Sequence, residues 1–146
     1  MSHENPDEGR IRGLLESARR IAIVGLSPKP HRDSNRVARY LLEHGYAVIP
    51  VYPRDETILG QPVFRRVQDI PGGVDIVDVF RRSETLPEVA EDAIAAKAKA
   101  LWFQLDCVHE GAAARAAAAG LTVVMDRCIM VDHGALLGRG HRGGGG

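Results

Sequence analysis

Five short apolar runs, of four to six residues each, recur along the chain: Ile21 to Val24, Tyr46 to Val51, Asp75 to Phe80, Ala100 to Gln104 and Leu121 to Met125. Between them, apolar positions fall at helical spacing. Ile11, Leu14, Leu15 and Ala18 predict a leading helix over residues 11 to 20, and Val37, Ala38, Tyr40 and Leu41 predict one from Ser34 to His44, closed by Gly45. Thr85 and Glu88 have the spacing of a capping box for a helix to about Lys97, and an Ala-rich helix from Glu110 to Ala119 stops at Gly120.

Strands that are apolar on both faces and separated by helices belong to a parallel sheet covered on both sides. The expected fold class is therefore α/β: a Rossmann-like, doubly wound, five-stranded parallel sheet, with order 3-2-1-4-5 and right-handed crossovers. Residues 1 to 137 are expected to form a single domain. The tail from Gly138 to Gly146 has no apolar content to bury and is expected to be a flexible Gly-rich end.

Composition narrows the function. The 146 residues carry 19 Lys plus Arg and 19 Asp plus Glu, so no global field favours nucleic acid or an anionic membrane. No apolar run approaches the ~20 residues that span a bilayer, and the polar start lacks a signal-peptide core, which predicts a cytoplasmic protein. Two cysteines, Cys107 and Cys128, make neither a disulfide framework nor a zinc motif.

Ligands of doubly wound sheets bind beyond the carboxyl ends of the strands. The first run enters a loop, Gly25-Leu26-Ser27-Pro28-Lys29-Pro30, and a helix opens near Ser34. Such a turn offers backbone N–H groups and a helix N-terminus to a phosphate. Ser27, and then Lys29 or Pro30, stand where a dinucleotide fingerprint needs glycine, so the loop suits a phosphorylated ligand other than ordinary NAD. The other strand ends bring Tyr52-Pro53-Arg54, Phe80-Arg81-Arg82, Gln104 and Asp126-Arg127-Cys128. Arg54 stands where NAD-binding folds usually place an acid, with Asp55 next to it, so the pair leans toward a phosphorylated ribose while leaving a ribose diol open; NADP with its 2′-phosphate and coenzyme A with its 3′-phosphate meet the first requirement.

The succession Val24-Gly25-Leu26-Ser27-Pro28-Lys29-Pro30, Gly45 to Pro53, Asp78-Val79-Phe80-Arg81, Trp102-Phe103-Gln104 and Val124 to Cys128 resembles the small single-domain CoA-binding proteins. These are similar to the CoA-binding domain of the succinyl-CoA synthetase α subunit. The resemblance implies that Gly25, Leu26, Ser27, Pro28 and Lys29 hold the CoA pyrophosphate. It further implies that Tyr52, Pro53, Arg54, Val79, Phe80 and Arg81 lie under the adenosine end, with Gln104 near the pantetheine arm. Tyr52 replaces the family's usual Asn, and Leu105 with Asp106 replaces a Gly.

Synthetase activity is not implied, because those ligases use a phosphorylatable histidine and a nucleotide-grasp domain on further parts of the chain. The expected protein is a non-catalytic binder of CoA or acyl-CoA, with no nucleic-acid or membrane partner, and with a homodimer as the common arrangement for such domains. An NADP-linked oxidoreductase is one alternative. A CoA-sensing subunit docking through an apolar patch at Leu136 and Leu137 is another. Cys128, beside Arg127 at a strand end, is where the CoA thiol could arrive. Cys107 with His109, and Asp126 with Cys128, Asp132 and His133, are weaker clusters for a thiolate pair and a metal. Trp102 and Phe103 are expected in the core.

Overall fold

The computed structural model describes residues 3–138; the expectation for the Gly-rich tail falls, beyond Gly138, outside the described residues. Helix α1 (Glu8–Ser17) starts at Asp7, whose carboxylate accepts the Arg10 N–H at 2.9 Å, and buries Ile11 and Leu15 one turn apart. Strand β1 (Arg20–Val24) leads through the glycine loop into α2 (Asp33–Glu43), which buries Val37, Ala38 and Leu41 and ends at Gly45, φ +89°. There the Tyr46 and Gly45 N–H groups return to the Leu41 and Leu42 carbonyls, as the left-handed helix stop requires.

After β2 (Ala47–Val51) comes a hairpin the sequence pattern did not predict, β3 (Thr57–Ile58) with β4 (Gln61–Pro62). The remaining units are β5 (Ile76–Val79), α3 (Leu86–Ala95), β6 (Ala100–Phe103), α4 (Glu110–Ala118), β7 (Thr122–Met125) and α5 (Ile129–Leu137).

The doubly wound, five-stranded parallel sheet is present, ordered β2-β1-β5-β6-β7. The place outside β2 belongs to a shorter segment than expected. Phe64 bridges Val51 in parallel, donating to Pro50 O and accepting from Tyr52 N, both at 3.0 Å. The strand 76–79 instead lies beside β1. With the bridged segment counted as a third strand, the order reads 3-2-1-4-5-6, which contains the 3-2-1-4-5 pattern. Pro50 explains why β2 is shielded so briefly: Val51 O faces β1, accepting from Gly25 N at 2.9 Å, so alternation turns the donor-less Pro50 nitrogen outward.

Alternation divides the sheet into two packed faces. Val77, Val79, Leu101 and Phe103 face α3 and α4, whereas Ile21, Ile23, Ile76 and Trp102 face α1, α2 and α5. Trp102 and Phe103 are fully buried, and Trp102 Nε1 donates to Arg127 O at 2.8 Å. Each such side chain contributes roughly 1.5–3 kcal/mol relative to exposure.

Asp78 breaks this apolar pattern. It is fully buried on β5 between Ile23 and Trp102, and neither carboxyl oxygen has a hydrogen-bond partner among the described residues. Burial raises its pKa well above the ordinary carboxylate range, with the neighbouring Val79 N–H a smaller opposing influence.

Two local expectations are corrected. The Thr85 hydroxyl does not cap α3; it donates to Arg82 O at 2.7 Å, because a 3-10 turn over Ser83–Thr85 runs directly into the helix. Leu136 and Leu137 form no exposed patch, since α5 packs them against the core that contains Ile11 and Trp102. At the far sheet edge, Asn5 pairs with β7 through its side chain: Oδ1 accepts from Met125 N at 2.8 Å and Nδ2 donates to Met125 O at 3.0 Å.

Candidate functional site

The site begins where β1 ends. Gly25 has φ +85°, and a Cβ there would stand 2.2 Å from Phe80 O, so both the left-handed turn and the approach of β5 require glycine. Leu26 then turns inward and is fully buried. The loop that follows is fixed from the helix behind it. Ser27 N donates to Ser34 Oγ at 3.0 Å, Asn35 Nδ2 donates to Ser27 O at 2.9 Å, and Lys29 N donates to Ser27 Oγ at 3.1 Å. Arg39 completes the frame by donating to Asn35 Oδ1 and Pro30 O, each at 2.9 Å. Ser34 and Asn35 are polar yet buried, and these bonds satisfy them.

A cleft of about 370 Å³ opens over this frame, lined by Gly25, Ser27, Lys29, Arg32, Asp33, Ser34, Tyr52 and Phe80. The N-terminus of α2 faces it. Arg36 N is the amide that first reaches back, to Arg32 O at 3.1 Å, and Arg32 N is taken by Lys29 O at 3.1 Å, so the Asp33, Ser34 and Asn35 amides are the donors of this helix start without a partner among the described residues. With the helix dipole and the cations of Lys29 and Arg32 alongside, the cleft suits an anion. Asp33 opposes that charge, but its carboxylate is paired with Arg36 at 3.2 Å in an exposed ion pair.

Asp33 and Phe80 also line a second cavity of about 250 Å³, which continues toward β6 and β7 between Val37, Gln104, Leu105, Cys128, Met130 and Val131. Its walls are mainly apolar. Gln104 is buried and its Oε1 accepts the Ile129 N–H at 3.0 Å, so it holds the start of α5 while lining the cavity. Cys128 is the residue that precedes α5, half-buried, with a free thiol. Arg127 turns away from that thiol into a bidentate pair with Asp132, at 2.7 and 2.8 Å.

The structure brings together Gly25, Ser27, Lys29, Ser34, Tyr52 and Phe80 in the first cleft and joins Gln104 and Cys128 through the second. Pro28, Pro53 and Arg54 are exposed on the adjoining loops. Val79 is fully buried against α3, and its carbonyl accepts from Gln104 N. Arg81 lies on the other face of the sheet, lining a cleft of about 300 Å³ with Arg65, Arg66, Glu88 and Asp92. Its Cδ nonetheless stands 3.3 Å from where a Gly25 Cβ would be.

The weaker sequence clusters separate. Cys107 Sγ points to Arg81 O at 3.2 Å and burial raises its thiol pKa, whereas His109 Nδ1 accepts from Ala112 N at the start of α4. Asp132 is engaged by Arg127, and His133 is buried with its Nδ1 2.8 Å from the Tyr40 hydroxyl. Sequence reasoning missed Arg32, Arg36, Met130 and Val131. The first two flank the start of α2, which the sequence placed at Asp33 or Ser34, but the sequence does not give the direction of their side chains. The others belong to α5, whose helical pattern is obscured by Asp132, His133 and Gly134.

Known proteins share the sequence family and the fold of this chain. Residues 19–134 match the family model described as a CoA binding domain. The chain is 42% identical over 130 residues to the uncharacterized protein YneT of Bacillus subtilis (strain 168), covering 89% of this chain and 96% of that one. It is similar to a solved structure of a hypothetical protein from Pyrococcus horikoshii OT3, with a TM-score of 0.88, 42% identity, and 94% and 100% of the two chains covered. The apo form of a dinucleotide-forming acetyl-coenzyme A synthetase 1 from Ca. Korarchaeum cryptofilum shares the fold, with a TM-score of 0.67 and 24% identity. That likeness covers 75% of this chain and 26% of the synthetase.

Proposed function

The chain belongs to the CoA-binding domain family, and from that premise we propose that it is a non-catalytic module that binds CoA or an acyl-CoA. The observation that carries the reading is the frame around Ser27, where Ser34 and Asn35 hold a loop and a helix N-terminus open to an anion beside Lys29 and Arg32. The pyrophosphate would lie there, taking backbone N–H bonds whose strength grows with the ligand's charge.

The two remaining parts of the ligand follow from what lies on either side. Toward β6 and β7, the apolar cavity ending at Cys128 suits the pantetheine arm and any acyl group. Toward β2, Tyr52 and Pro53 offer flat apolar surface for adenine. Arg54 has no hydrogen bond or ion pair from its guanidinium among the described residues, which leaves it for the ribose phosphate. Recognition is then the whole mechanism: the groups assembled at the cleft hold the charge of the ligand.

Calorimetric titration of the reduced protein with CoA, dephospho-CoA and NADP at one salt concentration tests this. Tighter binding of CoA than of either competitor is expected. No CoA binding, or tighter NADP binding, would mean that the fold has been kept and the ligand has not.

A further inference from the structure

Arg65 occupies an unusual position on the outer side of β2. It follows Phe64 directly, and Phe64 is tied to β2 on both sides, so the backbone of Arg65 is fixed to the sheet edge. Its Nη1 then donates to three carbonyls of the loop after β2: Tyr52 O at 3.1 Å, Arg54 O at 3.1 Å and Asp55 O at 2.9 Å. One terminal nitrogen carries two N–H groups, so the three acceptors share them.

The loop around it is closed at its base by two backbone bonds, Tyr52 N to Phe64 O and Val63 N to Glu56 O, each 3.0 Å. Within it Asp55 has φ +65°, in the left-handed region that Asp enters more readily than most residues. Drawing three carbonyls onto one cation fixes that conformation. The Nη1 of Arg65 is thus committed to the backbone, whereas the guanidinium of Arg54 in the same loop makes no bond among the described residues.

Resting on the CoA-binding reading above, we infer that Arg65 is a positioning residue for the adenosine end of the ligand, holding Tyr52, Pro53 and Arg54 in their binding arrangement. The strand order supports the direction. The anion cleft lies over β1 and the apolar cavity over β5, β6 and the turn after β7, which leaves the β2 side for the remaining end of the ligand. Arg65 acts through the loop and touches no ligand.

The test compares the full-length chain with Arg65→Met and Arg65→Lys, using CoA, adenosine 3′,5′-bisphosphate and 4′-phosphopantetheine as probes. Amide hydrogen exchange of Tyr52 and Val63, whose N–H groups close the loop at its base, is followed in the unliganded proteins. In Arg65→Met, exchange at the loop should rise and both adenosine-bearing probes should weaken by about tenfold, the scale of losing charge-assisted hydrogen bonds. Binding of 4′-phosphopantetheine should stay within about twofold, and Arg65→Lys should recover part of the loss because an ammonium brings three donors. Unchanged loop exchange, or equal weakening of all three probes, overturns the inference. If the parent binds none of the probes, the CoA reading falls, while the loop exchange still decides whether Arg65 holds the loop.

Discussion

The Ser34 hydroxyl accepts the backbone N–H of Ser27 at 3.0 Å, across seven residues of chain, and so couples the first turn of α2 to the loop that leaves β1. Because Ser34 is buried, the bond has little competition from water. Ser34→Ala leaves the Ser27 amide without its acceptor and should cost about 1–3 kcal/mol of stability, read as a lowered denaturant midpoint. CoA and dephospho-CoA should weaken together, since the perturbed group is the frame of the pyrophosphate site. Undiminished binding of both would show that the frame is not needed in the complex.

Lys29 and Arg54 separate two parts of the proposed ligand. Lys29→Ala should weaken CoA and dephospho-CoA alike, because the cleft it lines holds what they share. Arg54→Ala should weaken CoA by about tenfold more than dephospho-CoA, the scale of a charge-assisted bond to the 3′-phosphate. Equal losses at Arg54 would take the phosphate away from that residue.

Asp78 gives a pH dependence whose sign is set by burial. Its folded pKa is raised, so the unfolded chain ionises first as pH climbs past about 3.9 while the folded protein keeps its proton. The contribution of Asp78 is therefore most favourable below that pH, and it declines by about 1.4 kcal/mol per pH unit until the folded group also ionises. Asp78→Asn should flatten this decline, so that its stability relative to the parent improves from pH 4 to pH 7. Parallel denaturation curves across that range would show that the carboxyl is not buried as a neutral acid.

Cys128 and Cys107 should differ in reactivity toward CoA disulfide. The Cys128 thiolate, at the cavity wall, would displace one CoA thiolate and leave a Cys128–CoA mixed disulfide, with one thiol released for each disulfide consumed. Cys107 is buried with its thiol pKa raised and should stay unmodified. Intact-mass and peptide analysis should find a single CoA adduct that Cys128→Ser abolishes. An adduct on Cys107, or none, would contradict the placement of the pantetheine end.

The sheet was legible because Ile21 to Val24 and its four counterparts are short, mainly apolar runs with no polar/apolar alternation, a pattern that a sheet covered on both faces rewards. The glycine loop was legible for a related reason, since a strand running into Gly25 and then a helix start has few other uses. What escaped depends on long-range geometry. Asp78 looked like one polar residue in a strand, and its isolation comes from Ile23 and Trp102 arriving on either side. Arg65 looked like one of many arginines, because the carbonyls it gathers lie 10 to 13 residues earlier. The spacing of Thr85 and Glu88 predicted a cap, but the preceding 3-10 turn had already engaged the hydroxyl.

The Asn5 amide has a consequence for how molecules of this protein can meet. By occupying the Met125 N–H and carbonyl, a side chain imitates the peptide group of a neighbouring strand and terminates the hydrogen-bond ladder at β7. A copy approaching that rim would find the Met125 valences already taken. Removing Asn5 with the residues before it would reopen them, turning a capped rim into one to which a further strand can add.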